Sequence, residues 1–207
     1  IKTLFPLSHS TLSFFETLLL ALSVMFIAAG GYVINDINDV RADEINKPNK
    51  VIIGKHISIK FAEFTYIVLT ALGLLIAAFV GEIAGNYRLM LLHTLVAGIL
   101  WIYSKYVKNT FLLGNILVAV ASSATVITYF IFESLGYIKA YGEILKINFK
   151  AILGGPLDTL RWYSIGLAIF GLILSIIREM VKDLQDYQGD FAVGANTVPI
   201  VLGEKMT

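Results

Sequence analysis

Two segments of this chain each contain three aspartates at the same spacing. The positions are i, i+3 and i+7, namely Asp36, Asp39 and Asp43 in the first segment and Asp183, Asp186 and Asp190 in the second. On a helix such positions lie on one face, so each segment is predicted to form a stripe of carboxylates. Carboxylates this close repel one another unless a cation lies between them. Hard oxygen ligands suit Mg²⁺, which typically takes one or two carboxylates together with phosphate oxygens, and we predict that all six aspartates serve a magnesium site.

Basic residues accompany both aspartate groups. Lys47 and Lys50 follow the first group, Arg178 and Lys182 precede the second, and Lys108 lies between them in "YSKYVKNT". Acids that hold Mg²⁺ together with bases that neutralise phosphate oxygens describe a diphosphate site. For one aspartate group alone, ordinary charges at a solvated helix end would be an adequate explanation. Two groups with identical spacing favour the functional interpretation.

The elements that must position these residues are predicted to be transmembrane helices. Of the 207 residues, 57% are hydrophobic and 15% are charged, and the mean hydropathy is +0.78, whereas soluble domains carry about 25% charged residues. We predict an all-α, polytopic transmembrane helix bundle, with Gly194–Gly203 as a candidate start of a sixth span. Five stretches are long and apolar enough to cross a bilayer: Leu12–Ile34, Phe61–Val80, Tyr87–Tyr103, Phe111–Phe132 and Leu160–Ile177.

Small residues inside the spans predict how the bundle packs. In membrane bundles, glycines allow two helices to approach closely. The glycines to which we assign this role are Gly30, Gly31, Gly73, Gly98, Gly114, Gly166 and Gly171.

The order of the spans predicts the side on which the aspartates lie. Four spans separate the two aspartate groups, so both groups emerge on the same face of the membrane. The connections after the first, third and fifth spans carry ten of the 16 Lys and Arg residues. Because basic residues are enriched in cytoplasmic connections, we predict a multi-pass protein of the cell membrane with its site toward the cytoplasm. The six bases on the other side are Lys2, Arg88, Lys139, Lys146, Lys150 and Arg161; the ten are Arg41, Lys47, Lys50, Lys55, Lys60, Lys105, Lys108, Arg178, Lys182 and Lys205.

The composition argues against several classes of protein. A net charge of +1 gives no reason to expect nucleic acid as a partner, and the absence of cysteine excludes disulfides and thiol catalysis. The three histidines, His9, His56 and His93, are far apart and lack metal-ligand spacing, so a zinc or haem site is not expected. An ion transporter is an alternative, but its acids should lie near span centres, whereas Glu16 and Glu63 lie near span ends.

The aspartate segments also carry a family pattern. "NDINDVRAD", which begins at Asn35, fits the Asn-Asp-x-x-Asp-x-x-x-Asp signature of the UbiA superfamily of intramembrane prenyltransferases, and "KDLQDYQGD" resembles its second aspartate motif. "INKPNKVIIGK" resembles the segment after the first motif, with Lys47 and Lys50 where many members have arginine. "YSKYVKNTFLLGN" resembles the Tyr-and-Lys loop of the family, with Tyr103 and Lys108 in those places. The resemblance covers most of the chain.

This resemblance implies a defined chemistry. A prenyl diphosphate binds with its diphosphate held by Mg²⁺ between the two aspartate groups and with its isoprenoid tail among the helices. Departure of the diphosphate leaves an allylic carbocation, which an acceptor captures. The resemblance implies catalytic roles for Asp36, Asp39, Asp183 and Asp186, and metal ligation by these together with Asp43 and Asp190. It implies binding of the diphosphate or of an acceptor phosphate by Asn35, Lys47, Lys50, Tyr103, Lys108, Arg178 and Lys182.

The resemblance also predicts the extent of the domain. Family members have about nine transmembrane helices, and the first aspartate motif follows the second helix. We therefore expect residues 1–207 to form a single transmembrane prenyltransferase domain without the first helix and the last helices of the family.

The acceptor is predicted from a finer resemblance. The segments around both motifs look most like the branch that transfers a geranylgeranyl group to geranylgeranylglyceryl phosphate in ether-lipid biosynthesis. A hydroxyl that attacks a carbocation needs less help than an aromatic ring carbon, because its proton becomes acidic as the bond forms and a carboxylate or the departing diphosphate can take it. This chemistry favours the membrane lipid as the acceptor. An aromatic acceptor of quinone biosynthesis is the alternative.

A different class of enzyme, the CDP-alcohol phosphotransferases, also uses aspartate pairs at membranes. Those enzymes require an Asp-Gly-x-x-Ala-Arg start that is absent from this sequence.

Overall fold

The computed structural model describes residues 12–145 and 158–203, except for the side chains of residues 140–145. Within these ranges the secondary structure is helical and contains no β-strand. Four of the bases used to predict the orientation in the membrane lie outside the described residues: Lys2, Lys146, Lys150 and Lys205.

Five long helices form the body of the described chain. They are α1 (Phe14–Asn46), α2 (Ile59–Ile83), α3 (Met90–Ile102), α4 (Leu113–Leu145) and α5 (Asp158–Gln185), and two short helices follow, α6 (Tyr187–Ala192) and α7 (Val198–Leu202). A 3₁₀ turn over Tyr87–Leu89 leads into α3, and a π-helical turn over Tyr103–Val107 extends it. With these turns included, five segments are long and apolar enough to cross a membrane, which confirms the five predicted spans.

Helix α1 is longer than a bilayer requires. It contains 33 residues, about 50 Å at 1.5 Å per residue, whereas the hydrocarbon core of a bilayer is about 30 Å thick. Its apolar part ends near Ile34, so the last three turns or so, which carry the first aspartate group, project beyond the apolar segment. The connection predicted after the first span is therefore helical as far as Asn46.

Capping side chains explain where α1 and α2 begin. The Ser13 hydroxyl accepts the Glu16 N–H at 3.3 Å, while the Glu16 carboxylate accepts the Ser13 N–H at 2.7 Å, which forms a capping box. The Ser58 hydroxyl accepts the Phe61 N–H at 3.2 Å at the start of α2. The end of α2 is followed by Gly85, whose φ of +99° is readily adopted only by glycine.

The segment predicted as a candidate start of a sixth span forms only a short helix within the described residues. Helix α7 has five residues, whereas a helix needs about 17 or more to cross a bilayer, and Gly203 ends it with a φ of +87°. Val198 and Pro199 are buried, and α7 packs against α5 and α6. The segment thus lies against the end of the bundle that carries the second aspartate group.

The helices pack in two pairs, α1 along α2 and α4 along α5. A Cβ built on Gly30 would lie 2.8 Å from Thr70 Oγ1, and one built on Gly73 would lie 2.7 Å from Ile27 Cγ1. These two glycines therefore allow α1 and α2 to approach closely, as predicted. Among the residues that the structure describes, a Cβ would meet no atom within 4 Å at Gly98, Gly166 or Gly171, so no helix approaches these three closely there.

The buried apolar core and the outer surface fit a protein that lies in a bilayer. The core cluster lies at the end of the bundle opposite the aspartates and consists of Leu12, Leu20, Val80, Ala84, Leu89 and Phe132. Many large apolar side chains instead face outward, among them Phe64 at 62% exposure and Leu75 at 67%. Contiguous apolar surface on this scale is stable in contact with lipid and unstable in water.

Candidate active site

The two aspartate segments meet at one end of the bundle. Lys47 Nζ, immediately after α1, lies 2.5 Å from Asp186 Oδ1, and the Asn46 side-chain amide donates to the Asp186 carbonyl at 3.0 Å. The Gly189 N–H in turn donates to Asn46 Oδ1 at 2.7 Å. A Cβ on Gly189 would lie 2.6 Å from the Ala42 carbonyl oxygen. The close approach of α6 to α1 therefore requires glycine at this position.

The two aspartate groups differ in their local structure. The first group lies entirely on the continuous helix α1, as predicted: Asp36, Asp39 and Asp43. The prediction of a single helical stripe is wrong for the second group, because α5 ends at Gln185 and Asp186, with φ −96° and ψ 8°, joins it to α6. Asp183 therefore belongs to α5 and Asp190 to α6. This bend brings the backbone of α6 against the end of α1, where the contacts described above hold it.

Lys108, in the connection between α3 and α4, lies among the carboxylates of both groups. Its ammonium forms an ion pair with Asp39 and interacts electrostatically with acids of both groups. Burial, and next the positive charge of Lys182, lower the pKa of Lys108 to about 8 although carboxylates surround it. The following residue, Asn109, accepts the Asn196 N–H at its carbonyl oxygen at 2.8 Å. The connections after the first, third and fifth long helices are thus joined at one end of the bundle.

Asparagine side chains fix individual carboxylates. The Asn35 amide donates to Asp39 Oδ2 at 2.6 Å. The Asn115 amide, which is buried on α4, donates to Asp183 Oδ2 at 2.8 Å. Each contact holds one carboxylate oxygen and thereby limits the rotation of the acid, so the two aspartates are oriented before any ligand binds.

The oxygens at this end of the bundle fit Mg²⁺. Burial, and next the charges of Asp183 and Asp186, raise the pKa of Asp190 to about 6, while Lys108 and Lys182 oppose this shift. Asn35 Oδ1 is a buried oxygen that has no hydrogen-bond partner in the described part of the chain. Within residues 12–145 and 158–203, no three acidic or histidine side chains lie close enough to hold a metal ion alone. Ligands from a bound phosphate would have to complete the coordination, as is usual for Mg²⁺.

A cavity of about 280 Å³ extends from this charged end into the interior of the bundle. Its charged and polar end is lined by Tyr32, Asn35, Tyr103, Arg178, Glu179 and Lys182. The residues that line its middle are mainly apolar: Val24, Ile27, Ala28, Val96, Leu100, Val118 and Ala121. Its other polar residues include His93 and Thr128, both buried. The stretch of α1 from Val24 to Asn35 corresponds to about 16 Å at 1.5 Å per residue, so the cavity can hold a narrow apolar chain with a charged head.

The structure distributes the predicted site residues in three ways. Four of them line the cavity: Asn35, Tyr103, Arg178 and Lys182. Eight others lie in the charged cluster beside it: Asp36, Asp39, Asp43, Lys47, Lys108, Asp183, Asp186 and Asp190. Lys50 is exposed and is not part of the cavity lining. Whether each of these residues ligates metal or binds phosphate stays a prediction.

Several functional candidates were missed by sequence reasoning. Asn46 and Asn115 hold the second aspartate group in place, and Glu179 and His93 line the cavity. Asn115 and His93 are polar residues inside apolar spans, and polar residues that are buried in a membrane helix are expensive and usually functional. That signal was available in the sequence. Asn46 and Glu179 gave no such signal, because each lies in a polar segment beyond a predicted span.

The fold and the site together define an integral membrane helical bundle with an acid–base cluster at one end of an apolar cavity. The chain belongs to the UbiA prenyltransferase family, whose model matches residues 5–207. The five apolar helices and this membership identify an integral membrane protein.

The relatives described next carry a more specific name than that of the family. It is 33% identical over 181 residues to digeranylgeranylglyceryl phosphate synthase of Ignicoccus hospitalis, covering 87% of this chain and 52% of the relative. It is 34% identical to the synthase of the same name from Sulfolobus acidocaldarius, covering 90% and 57%. A solved structure from work on digeranylgeranylglyceryl phosphate synthase in membranes matches with a TM-score of 0.59 and 26% identity, covering 95% of this chain and 60% of that chain. The chain thus spans little more than half the length of these relatives.

Proposed function

We propose that this protein is a Mg²⁺-dependent intramembrane prenyltransferase that moves a geranylgeranyl group from geranylgeranyl diphosphate to geranylgeranylglyceryl phosphate. The observation that carries the proposal is one cavity with an acid–base cluster at one end and apolar walls beyond it. Such a cavity matches a molecule with a diphosphate head and an isoprenoid tail. The choice of acceptor is supported by the relatives, which are digeranylgeranylglyceryl phosphate synthases at 33% and 34% identity.

The bases would bind the diphosphate of the donor. Arg178 and Lys182 line the charged end of the cavity, and Lys108 and Lys47 lie beside it among the aspartates. Lys108 and Lys47 are now paired with carboxylates, so the arriving diphosphate and its metal would exchange these ion pairs for new ones. Bases that are already held near the site lose little freedom when the donor binds.

The aspartates would hold the metal. Mg²⁺ bound by Asp36, Asp39, Asp183 and Asp186, with Asp43 and Asp190 in support, would supply positive charge against the charge that develops on the departing diphosphate. The chain contributes the orientation of these acids through Asn35 and Asn115.

The apolar cavity would protect the reactive carbon. The C1–O bond of the donor breaks toward the charged end, and the allylic cation remains at the boundary with the apolar lining. Val24, Ile27, Val96 and Leu100 lie in that lining and exclude water, which would otherwise capture the cation. The hydroxyl of the acceptor lipid then attacks C1.

The proposal also covers the location of the protein and the extent of its domain. We propose that the protein lies in the cell membrane with its charged end toward the cytoplasm, because more bases lie at that end of the bundle. We also propose that residues 1–207 belong to a single prenyltransferase domain whose other helices complete the acceptor pocket. The length of the matched relatives supports this view.

Product analysis tests the proposal. The protein made from its complete open reading frame is reconstituted in vesicles with labelled geranylgeranyl diphosphate, and geranylgeranylglyceryl phosphate and 4-hydroxybenzoate are offered in separate reactions. We expect label only in the ether lipid, loss of product with EDTA, and recovery with added Mg²⁺. Label only in the aromatic product would show that the acceptor is aromatic and not the ether lipid. Intact donor in both reactions would refute the prenyltransferase proposal.

A further inference from the structure

Glu179 is a buried acid to which the mechanism so far gives no role. It lies on α5, is 5% exposed and lines the cavity. Its one ion pair among the described residues is with its chain neighbour Arg178, at 4.0 Å between Arg178 Nε and Glu179 Oε1, which is the outer limit for such a contact. A buried carboxylate is costly unless it is well paired or serves a function.

Glu179 lines the cavity one helical turn before the second aspartate group. It precedes Asp183 by four residues on α5, so the two acids lie one turn apart on the same helix face. Asp183 belongs to the proposed diphosphate site, and Glu179 lines the same cavity as the apolar Leu100 on α3 and Val118 on α4. We therefore take Glu179 to lie at the boundary between the charged end and the apolar lining. Because C1 of a prenyl diphosphate connects the diphosphate to the tail, it must lie at this boundary. The acceptor hydroxyl has to reach the same place.

We propose that Glu179 is a catalytic base that takes the proton of the acceptor hydroxyl, an inference that rests on the proposed transfer to a lipid alcohol. The C1–O bond of the donor breaks and the diphosphate leaves with the bonding electron pair. A lone pair of the acceptor oxygen forms the new C–O bond, and the hydroxyl proton passes to a Glu179 carboxylate oxygen. The proton returns to water after the product leaves, on the side of Arg178, whose side chain is 60% exposed.

Other groups at the boundary are less suited to this step. Tyr32 and Tyr103 also line the cavity, but a phenolic hydroxyl carries its own proton and is a poorer proton acceptor than a carboxylate, which is an acceptor only. Asp39 and Asp183 are held by Lys108 and by Asn115 respectively and are assigned to the metal. The departing diphosphate is the remaining rival, and it makes a different prediction for the variant described next.

The test separates ionisation of the donor from capture of the cation. The complete protein is supplied with geranylgeranyl diphosphate that carries ¹⁸O in the bridging position, together with Mg²⁺ and geranylgeranylglyceryl phosphate. Ionisation followed by return moves the ¹⁸O to non-bridging positions, whereas capture gives ether product. For Glu179→Gln we expect the rate of product formation to fall about 10²- to 10⁴-fold. We expect ¹⁸O scrambling to continue within about 3-fold of its wild-type rate, because the metal site and the bases are intact.

Controls make each result decisive. Asp183→Asn should lose scrambling and product formation together. Glu63→Gln, on the exposed face of α2, should change neither rate. Glu179→Asp keeps a carboxylate and should therefore recover part of the rate of product formation. The inference is overturned if Glu179→Gln forms product at the wild-type rate, as expected for a diphosphate base, or if it loses scrambling as fully as product, as expected for a structural role. A wild-type protein that neither scrambles nor transfers would refute the proposed function itself, which is a separate outcome.

Discussion

The charged end of the cavity and its apolar interior are built from the same helices but are held together differently. At the charged end, specific contacts fix individual atoms, such as Lys47 to Asp186 and Asn115 to Asp183. In the interior, Ile27 contacts the α2 helix at Gly73, and the fit depends on shape alone. A change at the charged end should therefore alter the rate of a particular step, whereas a change in the interior should alter packing and the choice of prenyl chain. Each of the following predictions tests one side of this contrast.

The largest effect is expected for the aspartates. In the complete protein, Asp36→Asn or Asp183→Asn should lower kcat/KM for the donor by about 10³-fold or more, because each removes negative charge that positions the metal against the departing diphosphate. The measurement is steady-state transfer of labelled geranylgeranyl diphosphate. Asp43→Asn should cost less, since this acid is assigned a supporting role. Near-normal turnover of either of the first two variants would contradict the proposed role of the charged end.

A smaller loss is expected for Lys108. Lys108→Met removes a base from the diphosphate site and leaves Asp39 without its ion pair, so kcat/KM for the donor should fall about 10²-fold. Lys108→Arg should recover part of this rate because it restores the charge. Lys60, which is exposed at the start of α2, provides the matched control, and Lys60→Met should change the rate less than about 2-fold. Equal losses in the two lysine variants would mean that basic charge acts only through the membrane surface.

Sequence reasoning could predict the charged end more fully than the interior. The spacing of Asp36, Asp39 and Asp43 on a helix is a local property, and so are the five apolar spans, which the structure confirms. The bend at Asp186 depends on the close approach of α6 to α1 at Gly189. That is a contact between distant parts of the chain, and the helical spacing of the aspartates does not reveal it.

The same reasoning explains the errors in the interior. Glycines occur in every predicted span, but a glycine allows close approach only where another helix packs against it. Gly73 faces α1 closely, whereas Gly98 and Gly166 face open space. The lining of the cavity, with Glu179 and His93, also depends on how four helices are rotated about their axes. Apolar spans without strong periodicity do not specify that rotation.

In the interior, a moderate effect on stability is expected at the crossing of α1 and α2. Gly73→Ala would place a Cβ 2.7 Å from Ile27 Cγ1 and 2.9 Å from the Ser23 carbonyl oxygen. Overpacking of this kind costs about 1–3 kcal/mol, so the midpoint of thermal unfolding in detergent should fall. Gly98→Ala, where the space is open, is the matched control and should leave the midpoint unchanged or raise it. A stable Gly73→Ala variant would show that the two helices are free to separate.

The smallest effect on rate, and the most specific one, is expected for His93 in the interior of the cavity. His93 Nε2 lies 3.0 Å from Ser23 Oγ, and the ring packs edge-on against Phe132 with centroids 5.8 Å apart. Ser23 immediately precedes Val24, so this pair lies about 18 Å along α1 from Asn35, at 1.5 Å per residue. The end of an extended C20 tail should reach this polar pair, whereas a C15 tail should stop short of it.

Replacing His93 by leucine would turn a polar surface into an apolar one and thus favour the longer tail, by about 1 kcal/mol or roughly 5-fold. His93→Leu should therefore raise the ratio of kcat/KM for geranylgeranyl over farnesyl diphosphate by that factor, while ¹⁸O scrambling of either donor at saturation stays within about 3-fold of wild type. The Ser23 hydroxyl keeps its bond to the Leu20 carbonyl at 2.7 Å, so the variant leaves no buried donor unpaired at that position. An unchanged ratio together with normal folding would show that the tail does not reach His93, and the apolar half of the cavity would then have to take the tail along another path between the helices.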